Sequence, residues 1–149
     1  MAREDDFKAL MIADVPLMAV LTGGVFTAGS VGRDGITRKS APGAYDTDGF
    51  LKPCAMVSER GDIPDGQMSD EVEQADSTVQ IVEIYFYQDS GYAATSAARA
   101  RTRVVLRGKS LSNSFPLQIV NVLTRMRDDG ALKGASMERQ DWQVNSVIQ

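Results

Sequence analysis

The spacing of apolar positions near the start of the chain predicts two short helices. Apolar residues recur at helical spacing from Phe7 to Met11. This first helix should end near Ala13, because Pro16 disfavours helical backbone in the residue before it. Asp14 then fits the N-cap of a second helix that carries Pro16 in its first turn. The sequence therefore predicts a bent pair of helices ahead of the first strand.

Alternation of apolar and polar residues predicts the strands. The clearest strand runs from Thr78 to Tyr87 and has apolar residues on both faces, which is typical of a central strand covered on both sides. We expect helices of this chain to cover one face and a neighbouring subunit to cover the other. Phe86 and Trp142 should be buried, since each alternates with polar neighbours. The predicted strands are residues 25–28, 51–58, 78–87, 117–124 and 137–148.

Residues 90–108 predict a third helix, with Ser90 as its N-cap and Gly108 at its end. Alanine and valine dominate one side of the helical wheel, and this apolar arc is expected to pack on the sheet. Arg101 falls inside the arc, so it must extend past the alanines, pair with a buried carboxylate or face a partner. The arc comprises Ala93, Ala94, Ala97, Ala98, Ala100, Val104 and Val105.

Two long polar segments separate these elements. Residues 29–49 and 61–77 lack apolar periodicity and are predicted to be exposed loops that become ordered against partners. The order of the elements predicts an α+β fold, with a mainly antiparallel sheet of about four to five strands and helices packed on one face. A chain of 149 residues is expected to form a single domain, residues 1–149.

Composition narrows the possible functions. The chain has no histidine, which removes the usual general base near neutral pH and the commonest metal ligand. A net charge of −4 argues against a nucleic-acid-binding protein, which would carry a basic surface. No apolar run approaches the roughly 20 residues of a membrane-spanning helix, and the charged start lacks the apolar core of a signal peptide. We expect no cofactor, no bound metal and no membrane association.

Three features with chemical potential are better explained as structure. Cys54 lies among apolar residues without a histidine to activate it, which favours packing over nucleophilic catalysis. The carboxylate pairs at 70–71 and 128–129 lie in polar, solvated stretches, which disfavours acid–base catalysis. Residues 46–49 (DTDG) lack the other ligands of a calcium loop and are expected to form a turn. A small enzyme using Cys54 or a carboxylate pair remains the alternative from a different class.

Charged residues are segregated along the chain. Between Arg60 and Arg99 there are eight carboxylates and no lysine or arginine, and five cations then follow within 11 residues. One interpretation is a solvated helix face folded back on its own acidic loop. The other is a ring of subunits, because a head-to-tail contact between two different surfaces closes rings. In that ring Asp70, Glu71 and Glu73 of one copy meet Arg99, Arg101, Arg103 and Arg107 of the next.

Three segments share their pattern of residue types with a known family. Residues 7–26 (FKALMIADVPLMAVLTGGVF) combine an opening helix, an Asp-x-Pro break, a Leu-rich turn, a glycine pair and a short strand. The second segment is the strand 79–87 with the small-residue helix 90–106, and the third is the closing strand 138–144. In these features the chain resembles the tail terminator (tail-completion) proteins of long-tailed bacteriophages, typified by the lambda tail terminator. Residues 29–76 are longer and more polar than the usual connection.

The resemblance implies a non-catalytic virion structural protein, assembled in the host cytoplasm and located at the head–tail junction. It implies a homohexameric ring on the head-proximal end of the tail tube, which stops tube polymerisation and joins the tail to head-completion proteins. The implied partners are further copies of the chain, the tail-tube protein and the neck proteins, while genome DNA passes through the ring without specific binding. Another neck component, a head-closure (stopper) or adaptor protein, is the nearest alternative.

Overall fold

The computed structural model describes residues 3–59, 63–64, 77–112, 114–128, 132 and 134–147. The helices within these ranges are α1 (Arg3–Ile12), α2 (Val15–Val20), α3 (Ala28–Val31) and α4 (Ala93–Leu106), with a 3-10 turn at Pro42–Ala44. The strands are β1 (Val25–Thr27), β2 (Cys54–Glu59), β3 (Ile63–Pro64), β4 (Ser77–Gln88), β5 (Gln118–Arg127) and β6 (Ser136–Val147).

The sheet has the strand order β1-β2-β4-β6-β5 and is antiparallel except for the parallel pair β1 and β2. Strands β4 and β6 pair along their whole lengths, from Ser77 opposite Val147 to Gln88 opposite Ser136. The two-residue strand β3 pairs with β4 beyond the point where β2 ends. The predicted α+β class, with a mainly antiparallel sheet, is confirmed.

The predicted helix signals succeed at α2 and fail at α4. Asp14 is the N-cap of α2, where its side chain accepts a hydrogen bond from the N–H of Leu17 at 3.0 Å. Ser90 does not cap α4, because the helix starts later, at Ala93. The free N–H of Thr95 instead donates to the side-chain oxygen of Gln88 at 2.9 Å. A residue of the preceding strand therefore satisfies the helix start.

One face of the sheet and the three longer helices enclose the main core. Val82, Ile84 and Phe86 of β4 face this core, and Trp142 of β6 lies beside Val82. Phe86 and Trp142 are 0% and 1% exposed, which confirms their predicted burial. The helices contribute Phe7, Met11, Leu17, Ala98 and Leu106. Trp142 also donates its indole N–H to the side-chain oxygen of Gln140 at 2.7 Å, so the buried indole keeps a polar partner.

The opposite face of the sheet carries a second, smaller core. Residues 31–51 lie across it and bury Val31, Ile36 and Ala44 against Tyr87 and its neighbours. The prediction that residues 29–49 form an exposed loop is therefore wrong: short apolar residues spaced without helical or strand periodicity still pack when the chain lies flat on a sheet. On this side, coverage of β4 comes from the same chain. The second predicted loop, 61–77, lies outside the described residues except for 63–64 and 77.

No helix in the described part of the chain is long and apolar enough to cross a membrane. The boundaries of the predicted strands shift by a few residues, as expected when turn chemistry alone sets them. The predicted strand 51–58 corresponds to β2, which starts at Cys54. The predicted strand 117–124 corresponds to β5, which extends to Arg127.

Replacing the core indole tests this packing. We expect Trp142→Ala to lower the free energy of unfolding by about 3–5 kcal/mol, because it removes a fully buried aromatic and leaves the Gln140 side chain without its donor. The measurement is urea unfolding followed by circular dichroism. Phe50→Ala is a matched control, since Phe50 is 58% exposed, and it should change stability by less than about 1 kcal/mol. Equal losses in both variants would contradict the assigned core.

Candidate assembly surface

Helix α4 turns only one edge of its alanine-rich arc toward the sheet. Its buried side chains are Thr95, Ala98, Thr102 and Leu106. Val104 is 64% exposed, and Ala93, Ala97 and Ala100 are exposed beside it. The prediction that the alanine-rich arc packs on the sheet is therefore wrong, although Ala98 from that arc is fully buried. An apolar stripe faces outward instead.

A buried ion pair beneath α4 explains this orientation. Glu138 on β6 is 1% exposed, and its carboxylate accepts hydrogen bonds from Arg99 Nε at 3.0 Å and Ser96 Oγ at 3.1 Å. A third donor is the backbone N–H of Arg125, at 3.2 Å. A carboxylate removed from water needs such compensation. Arg99 lies about 40° around the helix from Thr95, so burying the alanine arc would carry it away from Glu138.

The third donor, the backbone N–H of Arg125, lies at a β-bulge in β5. The register between β5 and β6 shifts between Leu123 and Met126, and Arg125 has a left-handed backbone with φ of 55°. Such bulges redirect backbone groups away from the ladder. Here the redirected N–H of Arg125 binds Glu138. The role of Arg99 at a subunit interface stays a prediction, and its guanidinium also pairs with Glu138 within the chain.

Arg101, which falls inside the apolar arc, pairs with a carboxylate of α2's N-cap, Asp14. Its Nε and Nη2 donate to the two carboxylate oxygens of Asp14 at 2.8 and 2.9 Å. Asp14 thus caps α2 and holds α4 at the same time. Of the three predicted alternatives, pairing with a carboxylate is the one observed. The Arg101 hydrogen bond lowers the pKa of Asp14, partial burial opposes the shift, and the bond from Leu17 adds to it.

Three further cations, Arg103, Arg107 and Lys109, lie on α4 or just after it. They are exposed, and none of them forms an ion pair within the described residues. Their predicted counterparts, Asp70, Glu71 and Glu73, lie outside the described residues. The predicted contact of these carboxylates with Arg99, Arg101, Arg103 and Arg107 of a neighbouring copy therefore stays a prediction.

Apart from Phe50, the large exposed apolar side chains lie on two surfaces. The first surrounds the Asp14–Arg101 pair and holds Ile12, Val15 and Val104 at 48%, 79% and 64% exposure. A groove of about 330 Å³ runs through it, lined by Leu10, Ala13, Val105 and Lys109 among others. The second group comprises Phe115, which precedes β5, and Val120 and Met126 within β5. Exposed apolar surface can mark sites of protein–protein contact.

The described residues that were considered for catalysis or metal binding have structural roles, while residues 70, 71 and 129 lie outside the described residues. Cys54 is fully buried, and burial raises the pKa of its thiol to about 12, so it stays protonated and unreactive. Asp46 accepts hydrogen bonds from the N–H groups of Asp48 and Phe50, both at 2.9 Å, which confirms the predicted turn. Asp128 accepts from the N–H of Leu132, within the β5–β6 connection. No group of three or more acidic or cysteine side chains able to hold a metal occurs among the described residues.

Glu138 was not anticipated from the sequence. Glu138 lies between Met137 and Arg139, and a glutamate in a strand is ordinarily expected to face solvent. The one available signal is an arginine, Arg99, in a helix otherwise rich in small residues, since a guanidinium beside a sheet requires a carboxylate nearby.

Comparisons with known proteins relate the fold to a virus-like particle. No family model matches the chain, and no curated protein sequence matches it. Among solved structures, a chain of the virion of a native gene transfer agent (GTA) particle has a similar fold, with a TM-score of 0.59 at 17% sequence identity. The match covers 95% of this chain and 92% of that chain. The two proteins thus share the whole architecture and not a single substructure.

Removing the buried carboxylate tests the anchor of α4. We expect Glu138→Ala to cost about 3–5 kcal/mol of stability, because Arg99 and two further donors then lose their partner inside the protein. Chemical denaturation measures the loss. Arg103→Ala, one turn further along the helix and exposed, should change stability by about 0.5 kcal/mol or less. Comparable effects of the two substitutions would mean that the Arg99–Glu138 pair does not position the helix.

The Asp14–Arg101 pair predicts a specific dependence on pH. A carboxyl whose pKa is lowered on folding stabilises the protein while ionised, so its contribution is complete above about pH 5 and is lost as the pH falls through 3.8 towards the folded value. Asp14→Asn keeps a capping side chain but removes the charge. The difference in Tm between wild type and this variant should therefore be largest near neutral pH and shrink in acid. A difference that is independent of pH would contradict the assignment.

Proposed function

We propose that this protein is a tail terminator of a long-tailed phage or a phage-like particle. In this role, six copies of the chain form a ring on the head-proximal end of the tail tube. The ring stops tube polymerisation and presents a surface to the head-completion proteins. The protein acts by assembling on the tail tube and not by catalysing a reaction.

The observation that carries the proposal is the fold match to a chain of the GTA virion over nearly the full length of both chains. At the coarser level, this match supports a structural role in a phage-like virion. The finer assignment comes from the sequence resemblance to tail terminators in residues 7–26, 79–106 and 138–144.

The surfaces of the described chain suit repeated self-association. A head-to-tail ring requires two different complementary surfaces on every subunit. The chain exposes apolar side chains both around the Asp14–Arg101 pair and along β5, and it keeps Arg103 and Arg107 unpaired among the described residues. Alanines on α4 allow close approach of a neighbouring backbone. A partner at this face would bury Val104, which is 64% exposed in the isolated chain.

The negative net charge of the chain is compatible with a ring through which DNA slides. The net charge of −4 gives no general attraction to phosphates, so genome DNA would pass without being held. The expected neighbours are the tail-tube protein on one side and neck proteins on the other, in the virion and during assembly in the host cytoplasm.

Charge reversal on α4 tests the assembly surface. We expect Arg103→Glu/Arg107→Glu to leave the Tm of the subunit nearly unchanged, since both side chains are exposed, but to abolish rings in sedimentation velocity. Arg99 is excluded from this set because its pairing with Glu138 would confound folding with assembly. The matched control is Arg33→Glu/Lys39→Glu, which makes the same change of charge at exposed positions in the segment on the other face of the sheet. Rings that survive the α4 reversal would show that this face is merely solvated.

Tail length tests the function itself. Particles assembled with the Arg103→Glu/Arg107→Glu variant should carry tails of uncontrolled length by electron microscopy, while the control variant gives uniform tails. Uniform tails that fail to join heads would instead identify a head-closure or adaptor protein. Normal, joined tails formed without the protein would overturn any role at the neck.

A further inference from the structure

A tight turn on one face of the sheet holds an exposed aromatic side chain. The carboxylate of Asp46 accepts hydrogen bonds from the N–H groups of Asp48 and Phe50, both at 2.9 Å, and the N–H of Asp46 donates to the carbonyl of Phe50 at 2.9 Å. Arg38 donates to the carbonyl of Gly49 at 2.6 Å. Phe50 is nevertheless 58% exposed. The backbone that carries this phenyl ring is fixed, while the ring itself faces solvent.

An aromatic side chain on a fixed backbone is suited to binding another protein. Aromatic residues are enriched in the cores of protein–protein interfaces, and a fixed backbone loses little conformational entropy when a partner binds. An open cavity of about 430 Å³ borders Phe50, so its own chain leaves the ring loosely packed. We call residues 46–50 the Phe50 turn.

The helix side of the molecule has an open groove of about 330 Å³, where α1, α2 and α4 meet. Val15 and Val104 beside it are 79% and 64% exposed. Two cations, Arg101 and Lys109, border the groove against one carboxylate, Asp14, so the groove carries an excess of positive charge. The rest of its lining is apolar and consists of Leu10, Ala13, Val104 and Val105. We call this site the helix groove.

The charges around the Phe50 turn complement those of the helix groove. Asp46 and Asp48 of the turn are both exposed, and Asp89 borders the adjoining cavity. The neighbouring cation is Arg38, whose guanidinium is engaged within the turn and lies 5.3 Å from the ring centroid of Tyr45. An aromatic side chain among carboxylates matches an apolar groove with an excess of positive charge.

The second strongly exposed phenylalanine does not match the groove in this way. Phe115 is 55% exposed, but no aspartate or glutamate occurs from residue 90 to residue 127. Phe115 also lies close to the groove of its own chain, because the N–H of Leu117 donates to the carbonyl of Lys109 at 2.7 Å. Cationic surroundings would then meet a cationic groove. Charge therefore favours the Phe50 turn as the occupant.

The sheet separates the Phe50 turn from the helix groove of the same chain. Helices α1, α2 and α4 pack on one face of the sheet, and residues 31–51 pack on the other. Ile36, Ala44 and Leu51 are buried on that second face, so the turn cannot move to the helix side without losing this core. A second copy of the chain has no such restriction.

We propose that the Phe50 turn of one subunit docks in the helix groove of a second copy. This inference rests on the ring function proposed above and names its contact: the phenyl ring of Phe50 packs on Val104, and the carboxylate of Asp48 faces Lys109. Because the turn and the groove are different surfaces on opposite faces of the sheet, the contact repeats head to tail from subunit to subunit.

Cross-linking between cysteine variants tests the contact. Phe50→Cys and Val104→Cys proteins are mixed in equal amounts and oxidised; the native Cys54 does not react because it is fully buried. We expect a covalent dimer that contains one copy of each variant. The double variant, Phe50→Cys/Val104→Cys, should give a ladder of covalent oligomers that ends at the ring number. Phe115→Cys mixed with Val104→Cys is the control and should remain monomeric on a denaturing gel.

Substitutions give a second readout with a matched control. Phe50→Ala should raise the protein concentration at which half of the subunits are in rings by roughly tenfold or more, without changing the Tm, because it removes the anchor of the contact. Val104→Asp, which places a carboxylate in the groove, should disrupt rings as well. Phe115→Ala removes a phenyl ring of similar exposure and should leave ring formation in sedimentation velocity unchanged.

Several results would overturn the contact. Rings that tolerate Phe50→Ala as well as Phe115→Ala would do so, and so would rings that form without the mixed dimer. A wild-type protein that stays monomeric in sedimentation, with no cross-link between the variants, would also contradict it. The proposed function fails separately: tails of normal length, joined to heads in the absence of the protein, would remove the terminator role, while the mixed dimer would keep the contact.

Discussion

The buried carboxylate of Glu138 is the constraint that orders the rest of the structure. It takes donors from α4 (Arg99 and Ser96) and from the bulge of β5 (Arg125), so one charge ties the helix layer, the central sheet and the edge strand together. Leaving such a carboxylate uncompensated costs about 3–5 kcal/mol. Burying Val104 by turning the helix would return about 1.5–3 kcal/mol at most. The ion pair, together with the burial of Leu106 on the same side of the helix, therefore outweighs the burial of Val104.

This balance has a functional consequence. With the polar flank of α4 fixed by Glu138 and the opposite flank fixed by Asp14, the helix presents its alanine stripe and Val104 to the outside. A side that sequence composition assigns to the core thus becomes a surface available for association. The same two pairs leave Arg103 and Arg107 without partners among the described residues.

The asymmetry of the sheet adds to this picture. At one end, the strand β1 has only three residues and is followed at once by α3, whereas at the other end β5 is ten residues long. A long unpaired edge strand makes a monomeric protein prone to aggregation, whereas in an oligomer it is available to a neighbouring subunit. The bulge that gives Arg125 to Glu138 also bends this edge, so the interaction that stabilises the fold shapes the side that a neighbour would meet.

The sequence by itself determined the elements whose signals are local. It predicted the Asp14 cap, the central strand, the burial of Phe86 and Trp142, the turn at Asp46 and the α+β class, because capping, alternation and turn chemistry act within a few residues. The tertiary structure alone decided which side of α4 faces the sheet and how residues 31–51 pack, because both depend on partners far along the chain: Arg99 and Glu138 are 39 residues apart. Helical periodicity finds an apolar side but carries no information on a buried charge that outweighs it.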